Sequence, residues 1–199
     1  MRRALMLTLG ILVLGFGVVQ AKSESKAKMV AWANLKSTTE GGIVNGEIRF
    51  FEIPGGLKIV GNISDAPPGK HGIHIHDIGN CADAGNAAGG HYNPHGTPHG
   101  FLPKDSVVKA HAGDMGNVTI DKSGHGDFSV KMIGISVHDH NPVDGRAVIL
   151  HEKVDDFGQP TGNAGGRIAC GIIETDNDHM GTEADTTGHE DDHAPEAVK

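Results

Sequence analysis

With 199 residues, 4% aromatic side chains and a formal charge of −8, the chain has room for one domain plus appendages and lacks the basic footprint of a nucleic-acid binder. Nine acids against one lysine lie between Glu174 and Lys199, so most of the negative charge is local to that end. Only two cysteines are present and they form no CxxC pair, which argues against thiol–disulfide exchange as the chemistry.

The chain opens on Arg2 and Arg3, then an almost wholly apolar run from Ala4 to Val19 and the triplet Val19-Gln20-Ala21. This is the pattern of a signal peptide, residues 1–21, cleaved after Ala21, since the run falls short of the ~20 residues of a membrane span. An uncleaved anchor is the alternative. Residues 22–28 form a short N-terminal extension, after which short β-branched and apolar runs alternate with glycine-rich turns. The predicted strands are Met29–Leu35, Gly42–Glu52, Leu57–Ser64, Gly72–Asp77, Asn117–Asp121, Asp127–Met132, Ala147–His151 and Cys170–Ile173. A hairpin turn is expected around Lys122–Gly126. Strands of this length and spacing, without long amphipathic helical patterns, predict an all-β domain over residues 29–174, an antiparallel sandwich or barrel. Gly79–Met115 and Asp155–Arg167 are too long and glycine-rich for strands and read as functional loops. In an exported protein Cys81 and Cys170 are most simply one disulfide, two buried thiols being the alternative. Residues 175–199 are polar and acidic, hold too little apolar surface to offset chain entropy, and are expected to be disordered.

Histidine is the outlier: of 14, 11 lie between His71 and His151. Neutral imidazole is the commonest protein ligand for copper and zinc. On a strand, His74 and His76 project to one side and can share an ion, while Ile73 and Ile75 point to the other, as a core-lining pair does. His91, His99 and His111 are spread along the first loop, and His111 and Asp114 are close enough for one turn to aim both at a single ion. Three histidines and one aspartate make a closed tetrahedral zinc set, hence a structural one. His151 ends a distant apolar strand and can complete the first set. His95, His125, His138 and His140 read as solvent-exposed, and His71 as a core histidine bonded to backbone.

Five separated motifs in order, GIHIHDIG, AGGHYNP, HAGDMGNV, LHEKVDD and GNAGGRIACG, resemble the copper/zinc superoxide dismutase family, over Val30 to Glu174. The resemblance implies an eight-stranded antiparallel Greek-key β-barrel with two long loops over the metals. It implies copper on His74, His76, His91 and His151, and zinc on His91, His99, His111 and Asp114, with His91 bridging as an imidazolate. Asp155 matches a carboxylate that hydrogen-bonds one histidine of each set, here His74 and His99, fixing ring orientation. Cys81 and Cys170 match the family disulfide, Arg167 the arginine that guides superoxide to copper, and His71 a structural barrel histidine.

The implied activity is antioxidant: disproportionation of superoxide to oxygen and hydrogen peroxide by a Cu(II)/Cu(I) cycle, with Arg167 and His91 catalytic and zinc an anchor. Superoxide is the implied small-molecule partner, with no nucleic acid and no membrane after signal cleavage; a homodimer is left open. The spacing from Cys81 to His91 is that of exported bacterial members, so the periplasm is the expected location and the extracellular space the other. One departure from the family is the absence of lysine between Asp155 and Arg167, which leaves anion steering to Arg167 alone, or to Lys104 or Lys109. A non-enzymatic exported copper/zinc buffer or copper chaperone on the same fold is the rival function. The tail's His179, His189 and His193 fit a solvated extension, with weak metal capture as the sharper alternative.

Overall fold

The computed structural model describes residues 28–175; the signal-peptide, most of the N-terminal-extension and nearly all of the tail assignments lie outside the described residues. Eight strands follow in chain order: β1 Met29–Ser37, β2 Asn45–Ile53, β3 Gly56–Ser64, β4 Gly69–His76, β5 Asp114–Ile120, β6 Gly126–Ile133, β7 Ala147–His151 and β8 Arg167–Glu174. They form one antiparallel sheet in the order β5-β4-β7-β8-β1-β2-β3-β6. The β3–β4 and β6–β7 connections cross to non-adjacent positions, which is Greek-key topology.

The two edge strands, β5 and β6, are consecutive in sequence and joined by the expected hairpin turn. There the Asp121 carboxylate accepts hydrogen bonds from the Ser123 amide and hydroxyl and from the His125 amide. Their approach nearly closes the sheet into a barrel and leaves little free edge for pairing with other chains.

Period-two alternation carries the core. Ala31, Ala33 and Leu35 on β1, Ile48 and Phe50 on β2, Leu57, Ile59 and Ile63 on β3, and Val148 and Leu150 on β7 all point inward and are buried. Each fully buried Leu, Ile or Phe contributes about 1.5–3 kcal/mol by area, an upper figure because unfolded chains already bury part of that surface. The same alternation decides where the chemistry sits. Ile73 and Ile75 of β4 enter the core, so His74 and His76 are forced to the outer face, beside Ile149 and Ala147 of β7.

That outer face is buried too, because loops cover it. A second small cluster, Ala88, Ala147, Ile149 and Cys170, holds the first loop down, and a Cys81–Cys170 disulfide clamps it to β8. Of the two sequence readings for these cysteines, the disulfide is the one realised.

The expected strands all form, with shifted ends. β2 starts at Asn45 and not at Gly42, because residues 38–42 turn, with the Gly42 amide donating to the Thr39 carbonyl and Gly41 at φ 70°. β5 starts at Asp114 and β8 at Arg167, so both predicted loops are shorter at their C-terminal ends. Asp114 pairs with His74, and Arg167 with His151, each across a register shift. A bulge of this kind re-aims side chains at a strand end, and it is what lets residues read as loop members sit on the barrel.

Candidate metal centre

Two groups of donors converge on the outer face of β4 and β7. His74, His76, His91 and His151 offer nitrogens that lie within 4.8 Å of one another, and so do the donors of His91, His99, His111 and Asp114. His91 belongs to both, and all seven side chains are buried.

His74, His76 and His99 are each aimed by a hydrogen bond at the ring's other nitrogen. His76 Nδ1–H donates to the Gly89 carbonyl at 2.9 Å, which leaves Nε2 facing His151 Nε2 at 3.3 Å. His74 Nε2–H donates to Asp155 Oδ2 at 2.9 Å and His99 Nε2–H to Asp155 Oδ1 at 3.0 Å, so one carboxylate holds a ring from each group. Asp114 Oδ2 accepts the amides of Gly100 and His111, leaving Oδ1 2.9 Å from His91 Nδ1 and 3.1 Å from His111 Nδ1. An ion about 2.0–2.1 Å from each of four tetrahedral donors separates them by roughly 3.3 Å. Among His91, His111 and Asp114 the spacings run from 2.9 to 3.5 Å and are of that size.

Two nitrogens test whether a cation fits. His74 Nδ1 is buried and has no hydrogen-bond partner, and His99 Nδ1, with the ring proton at Nε2 on Asp155, faces Asp114 Oδ2 at 2.9 Å, acceptor against acceptor. An orphaned buried acceptor is costly, and these two point into the two donor groups. A cation in each group satisfies them, and an imidazole-rich group with one carboxylate is the donor chemistry of copper and zinc.

The electrostatics favour neutral rings in the first group. Burial, with the neighbouring histidines, pulls His76 down to about 2, His151 to about 3 and His91 to about 4, and burial lowers His74 as well. Neutral imidazole is the ligand form, so these rings are poised to bind metal at any physiological pH. His99 goes the other way. Burial lowers it, but the hydrogen bonds and charges of Asp114 and Asp155 outweigh this and raise it to about 9. Burial pushes Asp114 and Asp155 up, yet their histidine and backbone donors hold both well below the carboxylate range.

These shifts set a pH signature for protein stripped of metal. A histidine held below its unfolded value of 6.5 binds its proton first in the unfolded chain, so its contribution is present above pH 6.5 and lost as pH falls toward the folded value. One such histidine contributes about 2 kcal/mol between pH 6.5 and 5. His99 has the opposite sign: its contribution is present below pH 6.5 and fades as pH rises toward 9. Thermal midpoints of chelator-treated protein should therefore peak near pH 6.5 and fall faster on the acid side. A midpoint unchanged between pH 6.5 and 5 would contradict this.

A cavity of about 190 Å³ opens over the first group, walled by His76, His91, His151, Thr161, Gly165 and Arg167. The Arg167 guanidinium donates to the carbonyls of Gly85 and Gly89, not to a carboxylate, so its full charge faces the cavity. Burial lowers its pKa, though guanidinium still stays ionised. Of the lysines considered for steering, neither Lys104 nor Lys109 is on the cavity wall, and Lys104 instead lies 5.7 Å from the Phe101 ring. His95, His125, His138 and His140 are exposed, and His71 is buried between the carbonyls of Pro67 and His151.

Sequence reasoning missed the residues that hold Asp155 and His99. The Asn117 side chain donates to the Asp155 carbonyl and accepts the Asp155 amide, while Gln159 makes the same reciprocal pair with the His99 backbone. Gly162, at φ 77°, is also required, since a Cβ there would lie 1.9 Å from Asp155 Oδ1. Only the Gly162 constraint had a local signal, in the run Thr161-Gly162-Asn163; the amide pairs had none.

Residues 44–173 match the family model for copper/zinc superoxide dismutase (SODC). A curated relative, the extracellular superoxide dismutase [Cu-Zn] of Caenorhabditis elegans, is 42% identical over 137 residues, which is 65% of this chain and 61% of the relative. The chain thus spans less than two thirds of that relative's length. Among solved structures, the crystal structure of the clock protein EA4 superposes with a TM-score of 0.65 at 36% identity, covering 77% of this chain and 98% of that one. A family match over most of the barrel, on a fold of eight antiparallel strands with two adjoining donor groups, places the chain in the copper/zinc superoxide dismutase family.

Proposed function

We propose that the protein is an exported superoxide dismutase, with copper on His74, His76, His91 and His151 and zinc on His91, His99, His111 and Asp114. The observation that carries this reading is His91, one imidazole common to both donor groups, with Nδ1 turned toward Asp114 and His111. When bound, copper supplies a one-electron cycle, taking an electron from one superoxide to release oxygen and returning it to a second, which leaves with two protons as hydrogen peroxide.

The chain's own part is positioning, attraction and proton handling. With Nδ1 committed to the zinc group, His91 Nε2 is the atom at which the protein can hold one of the two protons. Asp155 keeps His74 and His99 in register, so neither ring can turn without disturbing the other group. Arg167 attracts and orients the anion at the cavity wall, and such local focusing raises on-rates by about 10–1000-fold. The cavity gives a diatomic anion access to the histidines.

In this reading residues 1–21 are a signal peptide and 29–174 the catalytic barrel, with the periplasm as destination and the extracellular space as the other outcome. Metal analysis of the purified protein alongside pulse-radiolysis decay of superoxide tests the assignment. One copper and one zinc per chain are expected, with fast decay that slows as salt screens Arg167. Both metals bound with uncatalysed decay would instead identify a copper/zinc buffer or copper chaperone.

A further inference from the structure

We infer that Phe157 is a positioning residue that seals the zinc-side ligands and sets how fast zinc leaves. The inference rests on the zinc assignment of the preceding section. Phe157 is unusual on two counts. It is 44% exposed, and its φ of 62° puts a bulky aromatic in the left-handed region that such residues rarely occupy. An unfavourable backbone at an exposed aromatic persists only when the surroundings hold it there, and strain of this kind gathers at functional sites.

The surroundings are specific. The Phe157 amide donates to Asp155 Oδ1 at 2.8 Å, the same oxygen that accepts His99 Nε2–H at 3.0 Å. The loop is closed around that carboxylate. Asp156 N–H donates to the Gly162 carbonyl, and Asn163 Nδ2 reaches both oxygens of Asp156. The left-handed turn therefore does two things at once. It turns the amide onto Asp155, and it sets the ring beside His99, near-parallel at 18° with centroids 6.4 Å apart.

Phe101 backs this cover, 5.8 Å from Phe157, and is itself seated against Gly116 of β5, where a Cβ would come within 2.6 Å of its ring. His99 is 4% exposed and its neighbour Phe157 is 44% exposed, so Phe157 stands on the solvent side of the buried ligand.

Release of zinc begins when a ligand turns away and water or a chelator takes its place. For His99 to turn, its bond to Asp155 must break and its ring must move past the neighbouring Phe157 ring. Only the second restraint belongs to the Phe157 side chain, and it does not act on His76 or His151; the first, supported by the Phe157 backbone amide and shared with His74 through Asp155, survives loss of the ring. Loss of the ring should therefore speed zinc release and spare copper. Outer partners of metal ligands typically change metal affinity by 10–100-fold, and the expected effect lies at the lower end, about tenfold.

The test uses the full, metal-loaded protein and four forms: wild type, Phe157→Ala, Phe157→Gly and Phe157→Leu. Zinc transfer to a colorimetric chelator and copper loss from the visible absorption band are followed in the same samples. Phe157→Ala and Phe157→Gly should release zinc about tenfold faster, with copper loss within twofold of wild type. Phe157→Gly separates seal from strain, since glycine relieves the backbone yet lacks the ring and should behave like alanine. Phe157→Leu should recover most of the slow release. Zinc release unchanged in Phe157→Ala overturns the inference alone, and so does an equal acceleration of copper and zinc, which is general loosening. A wild-type protein that holds no zinc overturns the underlying assignment and this inference with it.

Discussion

Replacing His151 by alanine should abolish superoxide disproportionation while leaving the barrel folded and zinc bound. His151 closes the first donor group with Nε2 3.3 Å from His76 Nε2, and it also lines the cavity. It takes no part in the second group. Changing an outer partner of a ligand costs about 10–100-fold in affinity or activity, so deleting a ligand itself should cost at least ~100-fold. Copper content should fall in step, with zinc content and far-ultraviolet circular dichroism unchanged. Pulse radiolysis with metal analysis measures both. Undiminished decay of superoxide in His151→Ala would remove copper from this group and with it the proposed mechanism.

The second large effect concerns stability. Cys81→Ser/Cys170→Ser should lower the thermal midpoint by about 10–20 °C. The disulfide spans 89 residues, and closing a loop of that length removes about 4–5 kcal/mol of unfolded-chain entropy, an upper figure in that model. The loss should reach the site as well. Cys81 heads the segment whose Gly85 and Gly89 carbonyls hold Arg167, and Gly89 also fixes His76. The variant should therefore bind copper less tightly even below its melting point. Differential scanning calorimetry with copper titration checks both statements, and a midpoint shift below ~3 °C would show that the tie is dispensable.

The two effects differ in origin. His151→Ala removes a donor from a finished barrel, whereas the cysteine variant loosens the loop that brings His91 over β4. His76 and His91 form an isolated bridge across that joint, so the loop is laid directly against the strand it serves.

Much of this architecture is written locally. All eight strands were legible because the period-two pleat forces Ile73 and Ile75 inward once the core claims them, and His74 and His76 then have only the outer face. The turn at Asp121 was legible for the same local reason, a short acid that bonds its own amides. Strand ends were not legible at Asp114 and Arg167, because the register shifts that carry the sheet into the loops depend on partners His74 and His151 far along the chain.

Seven donor side chains and their division into two sets could be read from residue type, spacing and resemblance. What only the tertiary structure decided is the atom each ring offers. His74 turns Nδ1 inward because its Nε2 is taken by Asp155, 81 residues away, and His76 turns Nε2 because its Nδ1 is taken by the Gly89 carbonyl. Asn117, Gln159 and Phe157 entered the same way, through contacts with loops that no local pattern marks. Strand faces follow from a repeat of two residues in the backbone itself, and so composition and spacing determine them. Ring orientation follows from hydrogen bonds made only after the loops have closed, and so folding decides it.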